Sequence, residues 1–323
     1  MVEIAITETR LVGDIGGTNC RFGLVAPDGK LLHSSILADA DYPTIEEAAR
    51  AYLEQRGELP MPRHGAIAIA SAISGDRVQM TNHPWSFSIA ELRLRLGFER
   101  LEVLNDFTAA ALAVPHLAPD DRIAIGGGSP VATAPIGVIG PGSGLGMSGL
   151  IPNGGSWIPL NGEGGHGTMP AATERESQVL DHLRRHFDHV SAERVLSGPG
   201  LVNLYNSLAA IDGVPASQYT AAQITDPEAG ARDPLCREAT EMFCAMLGTV
   251  AANLALTLGA QGGVFIAGGI VPRLGQRFPA SPFRQRFESK GRFSAYLAAI
   301  PTYVMTHSLP AFLGCAAALG AIG

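Results

Sequence analysis

The sequence predicts a protein of the α/β class with two similar lobes, and three observations support this. The chain has 323 residues, of which 46% are hydrophobic, so it can bury a large core divided between two lobes. Apolar, strand-like runs alternate with turns and helix-like segments, as in layered α/β proteins. A pattern of apolar run, glycine turn with a hydroxyl, and apolar run occurs twice, at 12–25 and at 138–151.

The composition argues against several classes of protein. The net charge of −7 is spread along the chain without a basic cluster, so a nucleic-acid partner is not expected. The cysteines at positions 20, 236, 244 and 315 show neither a disulfide framework nor a CxxC pair for zinc, and no resident metal ligands are assigned. The first ten residues carry acidic and basic side chains and no apolar signal core.

Two charge-free stretches are long enough to be compared with a membrane span, and neither is predicted to be one. Residues 123–162 are interrupted by glycines and prolines that a spanning helix would not carry. Residues 245–272 contain Thr, Asn and Gln and then several glycines, which predicts a buried helix followed by a strand. We therefore expect a soluble, cytoplasmic protein with no membrane partner.

Local signals predict the first elements in order. Two apolar runs around Gly16-Gly17 predict a β-hairpin over 11–25, with the glycines supplying positive φ. Thr44, with Glu47 three residues later, predicts a helix with a capping box. Strands are predicted over 65–70 and 101–105, and a helix over 107–114. The apolar face of the first helix comprises Ile45, Ala48, Ala49, Tyr52 and Leu53.

Three glycine turns could bind phosphate. They are the turn after 12–15, the GPGSGLG turn at 140–146, and Gly268-Gly269 at the end of an apolar strand that leads into polar sequence. Without Cβ atoms the backbone can approach a phosphate closely, and successive N–H groups form an anion-binding nest. None of the three matches the P-loop or the dinucleotide-binding fingerprint, and each alone is more often a tight hairpin. Together they favour a nucleotide site.

The Asn105-Asp106 pair lies where a predicted strand ends and a helix begins. Asp106 could simply cap that helix. It could also be a carboxylate at the carboxyl end of a strand, where α/β proteins place ligands, and accept a proton from a hydroxyl that attacks phosphate.

A second polar cluster lies in the glycine-rich segment NGEGGHGTMP at 161–170. Glu163 and His166 could be two metal ligands, side chains that face a small polar ligand such as a sugar, or parts of a plain surface loop. Glu193, ahead of an apolar helical run, is by itself an ordinary acidic residue near a helix start.

These residues belong to segments in which the sequence resembles the bacterial glucokinase family, ATP-dependent hexose kinases of the actin-like, hexokinase and chaperone-ATPase superfamily. LNDF, GEGGHG and ERVLSGPGL are specific to the family together, whereas GDIGGTN and FIAGGI mark only the superfamily. The matching segments, in family order, are LVGDIGGTNCRFGLV (11–25), TNHPWSFS (81–88), LNDFTAAALAVP (104–115), IGPGSGLGMSGLIP (139–152), LNGEGGHGTMP (160–170), ERVLSGPGLVNLY (193–205) and GGVFIAGGIVPRL (262–274).

The resemblance implies a role for each candidate residue. Asp106 would be the catalytic base for the 6-hydroxyl of glucose. The other sugar hydroxyls would be held by Asn105, Glu163, His166 and Glu193. The ATP phosphates would face a first motif (Gly13, Asp14, Ile15, Gly16, Gly17 and Thr18) and a second motif (Gly142, Ser143 and Gly144), while Gly268 and Gly269 would border the adenosine. Asp14 would orient Mg²⁺ through water.

The resemblance also implies the architecture and the assembly. The expected fold is the two-lobed actin-like ATPase (ribonuclease H-like) fold with a central cleft. The smaller α/β lobe would comprise residues 1–116 and about 303–323, with a packed helix from about Pro310, and the larger α/β lobe would comprise 117–302. ATP and Mg²⁺ are the implied co-substrate and cofactor, glucose is the substrate, and a homodimer is the implied assembly.

Three alternatives stay open at this stage. The first is a kinase for another hexose or an amino sugar, because specificity between epimers depends on hydrogen bonds that a sequence does not locate. The second is a non-catalytic sugar sensor or an actin-like assembly protein, which the presence of Asp106 disfavours. The third is a metal-dependent enzyme that uses Glu163 and His166.

Overall fold

The computed structural model describes residues 8–322, so most of the charged N-terminal stretch lies outside the described residues. The strands are β1 Arg10–Ile15, β2 Asn19–Val25, β3 Leu31–Ala38, β4 His64–Ile69, β5 Arg77–Gln79, β6 Ser86–Ser88, β7 Arg100–Asn105, β8 Arg122–Ile125, β9 Ile136–Pro141, β10 Leu145–Asn153, β11 Ser156–Gly162, β12 Val264–Ile266 and β13 Thr302–Met305. The α-helices are α1 Ile45–Glu54, α2 Ile89–Leu96, α3 Asp106–Ala113, α4 Glu174–Leu183, α5 Gly198–Asp212, α6 Ala221–Ile224, α7 Pro227–Arg232, α8 Pro234–Leu258, α9 Ile270–Leu274, α10 Phe283–Glu288, α11 Ser294–Ala298 and α12 Pro310–Ala318.

The chain forms two compact units. The first unit comprises the residues up to Ala118, Pro159–Asn161 and the residues from His307 onward. The second unit comprises Pro119–Ile158 and Gly162–Thr306. The functional lobes over 1–116 with 303–323, and over 117–302, stay a prediction.

The first unit has a five-stranded sheet with the order β3-β2-β1-β4-β7. The predicted hairpin is β1–β2, whose strands are antiparallel and pair Ile15 with Cys20 across the turn. On the other side of β1, strands β4 and β7 are both parallel to it. The predicted strands at 65–70 and 101–105 are thus confirmed as β4 and β7.

The second sheet repeats this arrangement. Its order is β11-β10-β9-β12-β13-β8. The hairpin β9–β10 is antiparallel, and β12 and β13 follow on the other side of β9, parallel to it and to each other. The internal repeat read from the two glycine turns is therefore a repeat of sheet topology, with β8 added at one edge.

Helices α1 and α12 pack their apolar residues into the core of the first unit, as the sequence predicts. Thr44 caps α1 by accepting the Glu47 N–H, and all five residues of the predicted apolar face are buried. Helix α12 packs on α3 and on the sheet of the first unit, and a Cβ at Gly314 would lie 1.8 Å from the Ala109 carbonyl oxygen. This close approach explains the glycine at position 314 inside the helix.

Helix α8 is the long apolar helix predicted inside 245–272. It is long and apolar enough to cross a membrane by length and composition, but 67% of its most apolar window is buried inside the protein. It packs against α5 and α10, and Phe287 and Met246 are among the buried side chains of this core. The strand predicted after it is β12.

One local expectation was wrong. Neither Gly16 nor Gly17 has positive φ; Gly17 is instead required because a Cβ there would lie 2.9 Å from the Asn82 Cβ. The composition indicated a turn correctly, while the reason for the glycine came from a residue distant in sequence. The turn at Gly268-Gly269 leads into the short helix α9.

Candidate active site

The first unit brings several predicted site residues to one edge of its sheet. Because β1, β4 and β7 are parallel and in register, their last residues Ile15, Ile69 and Asn105 end at the same level. Neighbouring strands lie about 4.8 Å apart, so Asp106 begins roughly 10 Å from the turn that follows β1. Ligands of α/β proteins bind at such carboxyl edges.

Asn105, not Asp106, caps helix α3. The Asn105 Oδ1 accepts the N–H groups of Phe107 at 2.9 Å and Thr108 at 3.2 Å. Its Nδ2 donates to the Ser71 carbonyl oxygen at 3.3 Å, which leaves one amide N–H for a ligand. The alternative in which Asp106 is the helix cap is therefore wrong. Asp106 is the first residue of the helix, and its Oδ1 also accepts the Phe107 N–H at 3.0 Å.

The first glycine turn is held by its neighbours. Within the turn, the Gly16 N–H donates to the Asn19 carbonyl at 3.0 Å, and Gly17 lies against Asn82. Asp14, near the end of β1, is only partly exposed; burial raises the pKa of its carboxyl, and the positive charge of Arg21 partly offsets this. A bound cation stabilises the charged form of a carboxylate that is poorly hydrated, as Asp14 is at the edge of this turn.

The second unit brings the other two glycine turns together. A Cβ at Gly268, where φ is +82°, would lie 2.4 Å from the Pro141 carbonyl oxygen, so the turn after β12 abuts the turn after β9. The Ala267 N–H donates to the Ile139 carbonyl at 2.8 Å. Gly268 therefore lies against the end of β9, immediately before the turn at 142–144 that is predicted to bind phosphate.

The loop that carries Glu163 and His166 packs on the start of β10. A Cβ at Gly165 would lie 1.9 Å from the Leu145 carbonyl oxygen, which only glycine permits. The loop is also held from the other side, because the His189 ring and the Ala192 N–H both bond its backbone, at 3.0 and 2.8 Å. Exposed side chains at Glu163 and His166 are therefore presented by a fixed backbone.

Glu193 lies in a short 3₁₀ turn rather than at the start of an α-helix. Its Oε2 accepts the Leu145 N–H at 2.9 Å. It therefore reaches the first residue of β10, directly after the second phosphate motif.

A cavity in the second unit joins two of the predicted sugar ligands. It has a volume of about 440 Å³ and is lined by His166 and Glu193 together with Ser191, Arg194 and residues 186–189. The Arg194 guanidinium lies over the Phe187 ring, 4.2 Å from its centroid. Glu163 does not line this cavity, although it belongs to the same loop as His166. A small polar cavity of this kind suits a hydroxylated ligand.

Sequence reasoning missed the residues that hold these loops. Ser197 caps α5 by accepting the Gly200 N–H and donates to the Glu193 carbonyl oxygen at 2.8 Å. His189 and Asn82 support the sugar loop and the first turn as described above. The spacing Ser-x-x-Gly at 197–200 could have indicated the cap, whereas nothing local in the sequence indicates Asn82 or His189.

Within residues 8–322, no group of three or more His, Cys, Asp or Glu side chains is placed to hold a metal ion.

The family model for glucokinase matches residues 11–321. The chain belongs to the glucokinase family. It is 57% identical over 307 residues to a glucokinase of Paramagnetospirillum magneticum, covering 95% of this chain and 96% of that one. It is 51% identical to a glucokinase of Aromatoleum aromaticum, covering 97% and 95%. The predicted family is therefore confirmed, and with it the class of enzyme, an ATP-dependent kinase of the hexokinase type.

Solved structures agree on the fold. The glucokinase from an Antarctic psychrotroph superposes with a TM-score of 0.87 at 36% identity, covering 97% of this chain and 98% of that one. The glucokinase of Balamuthia mandrillaris, solved with glucose, has a TM-score of 0.80 at 19% identity, covering 99% of this chain and 95% of that one. The predicted actin-like fold class of this family is thereby confirmed.

Proposed function

We propose that this member of the glucokinase family transfers the γ-phosphoryl group of ATP to the 6-hydroxyl of glucose, giving glucose 6-phosphate and ADP. The observation that carries the proposal is the parallel register of β1, β4 and β7, which sets the glycine turn and Asp106 on one sheet edge. Phosphoryl transfer needs a nucleophile and a phosphate held close together, together with neutralisation of charge, more than it needs covalent chemistry.

In this proposal Asp106 is the general base. The Asp106 carboxylate accepts the proton of the 6-hydroxyl as that oxygen attacks the γ-phosphorus and the bond to the β-phosphate oxygen breaks. Since Asn105 satisfies the N–H groups at the start of α3, the carboxylate is not needed as the helix cap. The remaining N–H of Asn105 is available for another sugar hydroxyl.

The second unit would supply the remaining sugar and nucleotide contacts. His166 and Glu193 share a polar cavity, and Glu163 belongs to the same rigid loop as His166, which supports their roles as ligands of neutral hydroxyl groups. The turn at 142–144 would bind phosphate through the backbone N–H groups of Ser143 and Gly144, since the Gly142 N–H donates to the Gly144 carbonyl oxygen. Gly268 and Gly269 would border the adenosine.

The residues at the first turn fit Mg²⁺. The partly buried Asp14 carboxylate, whose pKa is raised by burial, is the hard oxygen donor that this ion prefers. Asp14 would hold the ion through water, and the bound ion would neutralise charge on the phosphates. The family resemblance further supports a cytoplasmic enzyme of glycolysis that forms a homodimer and has no nucleic-acid or membrane partner.

The experiment that tests this function is a coupled ATP assay with a panel of hexoses, including mannose, fructose and glucosamine. We expect kcat/KM to be highest for glucose. A higher kcat/KM for another sugar would identify that sugar, rather than glucose, as the preferred substrate, and the proposed kinase chemistry would still hold. Absence of phosphorylation of every sugar, by folded protein with Mg²⁺ and ATP, would contradict the proposal as a whole.

A further inference from the structure

Two hydrogen bonds hold the second phosphate motif at both ends. On one side, the Gly198 N–H at the start of α5 donates to the Gly142 carbonyl at 2.8 Å. On the other side, the Leu145 N–H donates to Glu193 Oε2 at 2.9 Å. Glu193 is in turn linked to the same helix start, because Ser197 Oγ donates to its carbonyl oxygen at 2.8 Å. Residues 193–198 therefore form a brace across the loop 142–144.

The glycine at 144 is explained by this brace. A Cβ at Gly144 would lie 2.5 Å from Glu193 Oε2, closer than van der Waals contact allows. Its φ is not positive, so an added Cβ would be opposed by the Glu193 carboxylate, which would have to move, and not by the backbone conformation. By contrast, a Cβ at Gly142 would meet nothing within 4 Å. Of the two glycines, only Gly144 is in close contact with another part of the protein, and that part is the Glu193 carboxylate.

We propose that Glu193 is a positioning residue for the nucleotide phosphates as well as a ligand of the sugar. The inference rests on the proposed function, in which the loop 142–144 binds phosphate. A loop whose N–H groups are held in place before binding loses less conformational freedom when the anion arrives. The hydrogen bond from Leu145 is charge-assisted, so it is stronger than a bond between neutral groups. Nucleotide affinity therefore depends on Glu193 even when no sugar is present.

One carboxylate can serve both ligands. A carboxylate has two oxygens and about four acceptor positions, and Oε2 accepts one backbone N–H. The other acceptor positions can serve a sugar hydroxyl, and Glu193 lines a polar cavity together with His166. The same side chain then contacts the sugar site and fixes the loop that precedes β10.

Binding of ADP with Mg²⁺, measured by titration calorimetry without sugar, tests the inference. Glu193→Ala should weaken ADP binding by roughly three- to tenfold, because the loop 142–144 is then no longer held in place and must be ordered when the anion binds. Glu193→Gln keeps an acceptor for the Leu145 N–H, so its ADP affinity should lie within roughly threefold of wild type. Its KM for glucose should nevertheless rise, because the charge is lost.

Glu163→Ala is the matched control. It removes the same side chain from an exposed position on the sugar loop, where no hydrogen bond to the loop 142–144 is formed. It should raise the KM for glucose and leave ADP affinity unchanged. An ADP affinity of Glu193→Ala within twofold of wild type, in protein that melts normally, overturns the inference. If wild-type protein itself binds no ADP, the proposed function fails instead, and this inference fails with it.

A double-mutant cycle tests the contact from the other side. Gly144→Ala should weaken ADP binding because its methyl group displaces the Glu193 carboxylate. In the Glu193→Ala background the same substitution has room. The double variant should therefore lose less ADP binding free energy than the two single variants lose in total. Full additivity would mean that Gly144 and Glu193 act independently, and would also overturn the inference.

Discussion

Replacing Asp106 by Asn separates catalysis from helix stability. Asp106 is the first residue of α3, while the capping bonds of Phe107 and Thr108 go to the Asn105 side chain. An Asn at 106 keeps the shape and an acceptor oxygen for the Phe107 N–H, which Asp106 Oδ1 accepts at 3.0 Å. What it loses is the negative charge and the ability to accept a proton.

The two losses differ greatly in size. A carboxylate in the first turn of a helix contributes only about 0.3–1 kcal/mol through the helix dipole. A general base contributes roughly 10²–10⁴-fold to the rate. We therefore expect Asp106→Asn to fold and to bind glucose nearly normally, and to lose at least about a hundredfold in kcat.

Asn105→Ala provides the opposite pattern for stability. It removes an acceptor for two backbone N–H groups and a donor to the Ser71 carbonyl, so it should destabilise the protein by about 0.5–2 kcal/mol. Both variants are measured by thermal unfolding, by glucose titration and by the coupled ATP assay. An Asp106→Asn variant that binds glucose and keeps more than about a tenth of wild-type kcat, against the expected range, would refute the role of Asp106 as base.

Three further predictions test the sugar loop, the first turn and the helix packing. Glu163→Gln should raise the KM for glucose by about tenfold or more and leave the KM for ATP unchanged, because a charged acceptor is lost at a sugar hydroxyl; the reverse pattern would assign Glu163 to the nucleotide. Because burial raises the pKa of Asp14, Asp14→Asn should melt at a higher temperature than wild type at pH 7 and lose activity. The difference in melting temperature should begin to shrink as the pH falls through the raised folded-state pKa and should vanish below the ordinary carboxyl pKa of 3.8. Equal melting temperatures at pH 7 would contradict this prediction. Gly314→Ala should destabilise the protein by about 1–3 kcal/mol in denaturant unfolding, since its Cβ would meet the Ala109 carbonyl oxygen, whereas Gly230→Ala, with only ordinary contacts in α7, should be neutral or stabilising.

The fold was predictable where the signals are local. The β1–β2 hairpin, the Thr44 cap and the buried helix within 245–272 follow from turn residues, a capping pair and apolar composition, and the structure confirms all three. The repeat of two glycine turns predicted two similar lobes, and each unit does contain a sheet in which an antiparallel hairpin is followed by parallel strands. The parallel neighbours of β1 and β9 could not be read in this way, because pairing of strands far apart in sequence leaves no periodic signal in either strand.

The sequence offered candidate site residues, whose roles stay a prediction, but it did not indicate the contacts that hold them in place. The Asn105-Asp106 pair, the glycine turns and the sugar loop were found from motifs and from the resemblance. Which of the two residues caps α3 depends on backbone dihedrals, since either side chain can accept a helix N–H, and the structure assigns the cap to Asn105. The bond from Leu145 to Glu193 joins residues 48 apart in sequence and could be found only in three dimensions.

The two glycine turns occupy equivalent positions in the two sheets but are contacted by different distant residues. Both turns follow the first strand of an antiparallel hairpin, and neither Gly17 nor Gly144 has positive φ. An added Cβ at Gly17 would meet the Asn82 Cβ, whereas one at Gly144 would meet the Glu193 carboxylate. No contact with sugar is proposed for Asn82, but Glu193 is a proposed sugar ligand and lines a cavity together with His166. Of the two turns proposed to bind phosphate, the second is therefore the one held by a proposed sugar ligand. Any direct dependence of nucleotide affinity on that ligand should originate there.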